Sequence, residues 1–314
     1  MHSMIRSSLL SRRSGAALAL ATCSVLLFGA SSLAAQGRSS TRYDIHFHRP
    51  VAVGARARIE VEGTKQTVME RRNGRTNETM RDDTTQVRFL AVERVLAVSA
   101  SGKPTTVEYT VEAFEVTTAG QRSTPLAAGS VLTVVRATQP GAEPTMTVSG
   151  RPVAEPVAEA LGIVISRRQS ETSDDDVFGS PTPRRVGERW GINAELAQRE
   201  LASGGAPDMR LTGNVRATEA TTVDSMACLV LTATMRGQLR GIPNMPPTAT
   251  FRTGTVDLTM TGAFPVDGTS RPPTGQVSMV MDVTFTVAGA TPAATQTIHM
   301  VVRESRSEHI TPLP

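Results

Sequence analysis

Cysteine is nearly absent from this chain: among 314 residues only Cys23 and Cys228 occur. Aromatic residues are scarce as well, with one tryptophan, two tyrosines and eight phenylalanines. So little cysteine excludes a disulfide scaffold. So few rings leave little with which to stack sugars or single-stranded nucleic acid. Charged residues reach only 20%, which argues against a charge-rich disordered chain. Catalytic signatures are missing too: there is no Gly-x-Ser-x-Gly, no Ser-x-x-Lys, no glycine loop for phosphates and no His-Glu-x-x-His. Beyond residue 35 only His46, His48, His299 and His309 could serve as a base for a Ser-His-Asp site.

The first 35 residues differ from the rest. Arg6, Arg12 and Arg13 precede an uncharged run from Ser14 to Ala35 that ends in Ala30-Ser31-Ser32-Leu33-Ala34-Ala35. That layout predicts a secretory signal cleaved near Ala34 or Ala35, and so a periplasmic or secreted bacterial protein. An uncleaved anchor is the alternative. Leu20-Ala21-Thr22-Cys23 is close to a lipoprotein box, but Ser24-Val25-Leu26-Leu27-Phe28 continues the apolar run beyond the cysteine. Cys23 therefore reads as part of that run rather than as a lipidated residue. Without the three arginines, 30 basic residues face 29 acidic ones, so no net field draws nucleic acid. Nothing after Ala35 is long and apolar enough to form a transmembrane helix. Cys228, alone after cleavage, lies in an apolar stretch and reads as a small buried hydrophobe.

Alternation of apolar and polar residues dominates the chain beyond the leader. Val277, Met279, Met281, Val283, Phe285 and Val287 share one parity, and Ile298, Met300 and Val302 repeat it after a Gly/Pro loop. Val256, Leu258 and Met260 form another such stripe, as do Ala57, Ile59 and Val61, and Val107, Tyr109, Val111 and Ala113. This period of two sends one face of each strand to a core and the other to water. Asn73-Gly74 suits a tight hairpin turn. Two short helices are predicted: one over 152–166, with Val153, Val157, Leu161 and Ile165 on one face, and one over 194–202, capped by Asn193 and ended by Gly204-Gly205. The span 167–185 reads as an exposed polar linker. The predicted fold is thus all-β: a large curved antiparallel sheet, an open or half barrel, with one or two short helices. A β-sandwich or two β lobes, 42–150 and 187–311, within the single unit 36–314 are the alternatives.

Val186-Gly187-Glu188-Arg189-Trp190 opens the second β-rich half. With the leader and the β-rich first half, this element resembles an uncharacterised family of exported bacterial β-rich proteins that carry Val-Gly-(Asp/Glu)-x-Trp in mid-chain. Many of that group are lipoproteins, from which the position of Cys23 departs. The layout is also similar in architecture to the open-barrel periplasmic carriers of lipids and lipoproteins, which implies a fold but does not fix a function.

Several residues suggest chemistry. His46 and His48 share a strand face, and His299 joins them as a third metal ligand if the first and last strands pair. Against this, the set lacks a nearby carboxylate or cysteine, so no metal or other cofactor is assigned. Asp174-Asp175-Asp176 offers oxygens for calcium but reads better as a solvated run. Met279 and Met281 could offer thioethers to copper(I), yet a core stripe suits them better. The leading expectation is a non-enzymatic protein that holds a lipid or other amphiphile in a cavity under the sheet, lined by Met279, Met281, Phe285 and Met300, with Trp190 at its edge. A cell-envelope protein–protein interaction module is the second reading and a hydrolase the third.

Overall fold

The computed structural model describes residues 41–73, 76–136, 144–165, 172–203, 208–242, 245–288 and 295–314. The expected leader, Cys23, Gly204-Gly205 and the turn residue Gly74 lie outside these. Among the described residues thirteen strands form one sheet. They are β1 (Arg56–Asn73), β2 (Thr76–Val98), β3 (Pro104–Thr118), β4 (Gln121–Ser123), β5 (Val131–Val135), β6 (Thr145–Val148) and β7 (Arg151–Pro152), then β8 (Arg189–Gly191), β9 (Met209–Val223), β10 (Met226–Leu239), β11 (Ala249–Pro265), β12 (Thr274–Val287) and β13 (Gln296–Leu313).

The strand order is β7-β6-β5-β3-β2-β1-β13-β12-β11-β10-β9-β8, with β4 beside β3. Each pairing is antiparallel. The chain therefore starts in the middle, meanders to one edge, crosses to the other and meanders back. β1 and β13 meet at the centre, Arg56 opposite Leu313 and Arg72 opposite Thr297. Both ends of the order are very short strands, and β7 contains Pro152, which blunts the edges against unwanted pairing. Tight turns at Ala119-Gly120, Ser149-Gly150 and Asp224-Ser225 place both residues at positive φ, the twist that closes two-residue hairpins.

The crossover covers one side of the sheet, the inner face. It carries α1 (Glu155–Val164), α2 (Asp174–Phe178) and, after β8, α3 (Ala194–Ser203). α1 packs on β1 and β2 and α3 on β9. Leu161 and Val164 are buried with Phe89, Val61, Val111 and Leu132. Their contact needs bare backbone below: a Cβ on Gly63 would stand 2.6 Å from Ile163 Cγ2 and 3.1 Å from the Ile163 carbonyl. Asn193 caps α3 as expected, accepting from the Leu196 N–H at 3.2 Å.

As expected, one large antiparallel sheet runs continuously through both halves, and among the described residues neither alternative, a sandwich or a separate pair of sheets, forms. Two features differ from the sequence reading. A third helix, α2, arises inside the stretch read as a linker, because Ser173 caps it and Val177 buries its apolar side. Residues 43–51 form an extended strap rather than a strand of the sheet. It is held by backbone bonds from Tyr43 to Arg184 and from Val51 to Gly102, and by the Phe47 ring 4.9 Å from that of Phe264. Asp175 accepts the backbone N–H groups of Phe47 and His48, which ties strap to helix and accounts for part of the acidic run.

Candidate functional site

Strand register places Val256, Leu258 and Met260 of β11 beside Met281, Met279 and Val277 of β12, and Met281 and Val283 beside Val302 and Met300 of β13. All lie on the inner face, the side on which Val283, Ile298 and Ile310 are buried. Farther from the helices the burial is incomplete. Met279, Met281 and Met300 are only half-buried, and Val277 is 37% exposed. The result is an apolar strip between the α1 side and the α3 side of the inner face.

Met281, Phe285 and Met300 pack together against the cluster that includes Val283, Met235, Leu239 and Ala197. Met279 is next to Met281 on the same face, opposite Leu258. Trp190 is elsewhere. It is 7% exposed within the Ile45, Val215 and Leu231 cluster, where its indole N–H donates to the Phe178 carbonyl at 2.8 Å. The Arg184 guanidinium lies 5.4 Å from its ring centroid. It anchors the crossover, and Met260 of β11 packs against the same cluster.

Toward the other end of β13 the inner face turns polar. Glu304, Arg306 and Glu308 continue the parity of Met300 and Val302 until Ile310 restores the core. Lys65 Nζ meets Glu304 at 2.9 Å, and Arg306 pairs with Glu308. On β2, Glu93 is 6% exposed and bonded to Arg271, which reaches in from the β11–β12 loop. Burial alone would weaken the Arg271 charge, but Glu93 outweighs it and holds the guanidinium above its ordinary pKa. Tyr109, directly opposite Glu93, is 4% exposed, and burial foremost pushes its hydroxyl pKa up.

This polar group was not singled out from the sequence. Its signal was present: Glu93 falls in the apolar parity of Val87-x-Phe89-x-Ala91, and Arg306 falls between Val302 and Ile310. An acid or base at an alternation site marked for the core is the trace such a cluster leaves.

The histidines are not brought together. His46 and His48 belong to the strap, where His48 Nε2 lies 2.7 Å from the Ser101 carbonyl oxygen. His299 sits on the outer face, Nε2 2.9 Å from Asp282 and Nδ1 3.6 Å from Glu70. β1 and β13 do pair, but the strap ends before β1 begins, so the expected third ligand is out of reach. Among the described residues no three His, Cys, Asp or Glu side chains form a metal-binding group. None of the four histidines hydrogen-bonds a serine, threonine or cysteine side chain there either. Cys228 is 1% exposed, and burial raises its thiol pKa.

The outer face is polar. An open depression of about 540 Å³ lies over β9–β11, lined by Thr212, Asn214, Thr234, Arg236, Asp257 and Thr259 among others. Arg236 and Asp257 pair across it at 2.7 Å. No helix among the described residues is long and apolar enough to cross a membrane.

No family model and no curated protein matches the chain. A solved structure titled for lipid–protein interactions in lipovitellin aligns with it at a TM-score of 0.33 and 6% identity. The alignment covers 82% of this chain and 25% of lipovitellin, so the chain spans about a quarter of that protein.

Proposed function

We propose that this is an exported protein of the bacterial envelope that holds a hydrophobic or amphiphilic molecule on the inner face of its sheet, without chemical change to it. The observation that carries this reading is the half-buried strip of Val256, Leu258, Met279, Met281 and Met300 between the two helix-covered sides. Flexible thioethers suit a surface that must fit differing chains. Apolar side chains left partly wet on a face otherwise packed by helices favour an apolar guest.

The test is a titration of delipidated protein with a fluorescent fatty acid. Saturable enhancement is expected, weakened about ten-fold or more by Met281→Asp, since a carboxylate is costly in an apolar contact. Met80→Asp, at a 53% exposed site on β2, should leave binding unchanged. A signal that never saturates, or equal effects of both variants, would overturn the reading.

One observation favours the second reading, a protein–protein module. β3 begins to pair with β2 only at Thr85, opposite Thr118, so among the described residues Asn77–Thr84 has β1 on one side and no strand on the other. This leaves roughly 25 Å of strand edge, long enough to accept a partner strand. Selective hydrogen-exchange protection of Asn77–Thr84 in envelope extract would support it.

A further inference from the structure

Across the strands, the inner face changes from apolar to charged. Leu258, Met279, Glu304, Lys65 and Thr85 stand side by side on β11, β12, β13, β1 and β2. The next row toward α1 is Met260, Val277, Arg306 and Gly63, and the row on the other side is Val256, Met281, Val302, Thr67 and Asp83. The β11–β12 end of each of these rows is apolar, and the charges gather on β13, β1 and β2. They come in pairs: Lys65 with Glu304 at 2.9 Å, Arg306 with Glu308, Arg81 with Asp83 and Arg71 with Glu78. Each of these bases has an acid beside it, so the charges of the flank cancel.

Lys65 and Glu304 are within reach of a ligand, their side chains 47% and 39% exposed. A pair this open contributes little to stability, so either partner can turn to a new group at small cost. An anion placed at Lys65 also meets Glu304, and a cation placed at Glu304 also meets Lys65, so a single charge gains little. A head that carries both charges a few atoms apart gives each partner an opposite charge. Glu304 lies directly beside Met279, and Lys65 is two strand spacings, roughly 10 Å, from it. A head on the pair therefore leaves its tail on the apolar strip. Farther along β13, Glu308 leans over β12, where a Cβ on Gly275 would stand 2.9 Å from its Oε1, so a second pair borders the strip beside Val277.

We propose that Lys65 and Glu304 receive the zwitterionic head of an amphiphile, a phosphate joined to an ammonium group, whose tail lies on Val256, Leu258, Met279, Met281 and Met300. This rests on the function proposed above and specifies its ligand. Lys65 meets the phosphate and Glu304 the ammonium, and Arg306 with Glu308 repeats the same two charges along β13. Amphiphiles with an uncharged head, or with one charge, fill the strip but leave one or both partners unanswered.

Calorimetric titration of the full protein with dodecylphosphocholine, dodecyl phosphate, dodecyltrimethylammonium, dodecanol and free phosphocholine separates the terms. Dodecylphosphocholine should bind about ten-fold or more tighter than the other three dodecyl compounds. Lys65→Gln should place the ammonium ahead of the phosphate by about three-fold or more, and Glu304→Gln should place the phosphate ahead. Both sites are half-exposed, so the thermal midpoint should stay as in the parent and folding is not at risk. A pair with a structural role alone would weaken all four dodecyl compounds alike, which would overturn the head assignment. Equal affinity of the four for the parent protein would also overturn it and leave the amphiphile reading standing. Binding of free phosphocholine with no binding of any dodecyl compound would retain the polar site and overturn the amphiphile. No binding at all would remove both.

Discussion

Gly63 lies where α1 rests on β1. Substitution by alanine adds one methyl carbon, 2.6 Å from Ile163 Cγ2, 3.1 Å from the Ile163 carbonyl oxygen and 3.2 Å from Val164 Cγ1. Real Cβ atoms do not approach within 2.6 Å, so the Ile163 methyl must move and the helix backbone must give by a few tenths of an ångström. Overpacking of this kind costs about 1–3 kcal/mol. Lower chain entropy in the unfolded Gly63→Ala protein returns about 0.4–1 kcal/mol. A net loss of ~1–2 kcal/mol remains, a fall in melting midpoint of roughly 2–8 °C for a large domain. The obstacle is largely one methyl group, so Ile163→Ala should absorb the clash. Urea unfolding of the two single variants and the double variant completes the cycle. The double variant is expected to be more stable than the summed losses predict, by ~1 kcal/mol or more. Additivity within about 0.5 kcal/mol would refute the contact as drawn.

The charged groups give two further expected outcomes. Glu93→Gln strands the Arg271 guanidinium, which is partly wetted, so the expected loss is ~1–3 kcal/mol by urea unfolding; Glu93→Met with Arg271→Met should lose less, and an unchanged Glu93→Gln protein would show the pair to be idle. Asp267 accepts from the Ser270 hydroxyl and the Ser270 and Thr269 N–H groups, which hold its carboxyl at about 2. Its unfolded pKa is ~3.9, so its stabilisation is complete above that and is lost as pH falls through the folded value. Asp267→Asn should therefore match the parent near pH 2 and fall behind between roughly pH 2 and 4, in acid titrations of the melting midpoint.

The strands could be read in the sequence because each carries its own evidence: alternation in Val277–Val287 or Val107–Ala113 is local and needs no partner. The sheet order could not. Nothing within Arg56–Asn73 announces that its neighbour is Gln296–Leu313, since that pairing depends on register across most of the chain. Asn77–Thr84 escaped notice because both faces of that edge segment are exposed, and so it has no apolar parity to detect. The strap was missed for a related reason. Its Ile45 and Phe47 are apolar at alternate positions, as a strand's would be, yet its partners are side chains and loop carbonyls. The Met279, Met281, Phe285 and Met300 grouping was legible because shared parity on adjacent hairpin strands places those residues together. Trp190 was harder to place, since a lone ring has no periodicity to locate it.

The central β1–β13 seam ties completion of the sheet to the order of synthesis. β1 acquires β2 early but meets its other neighbour only when the last strand arrives, so throughout elongation the future middle of the molecule is a raw margin. Such distant contacts fold slowly and leave strand edges open to strangers meanwhile. A chain built this way benefits from being kept unfolded until β13 has been made.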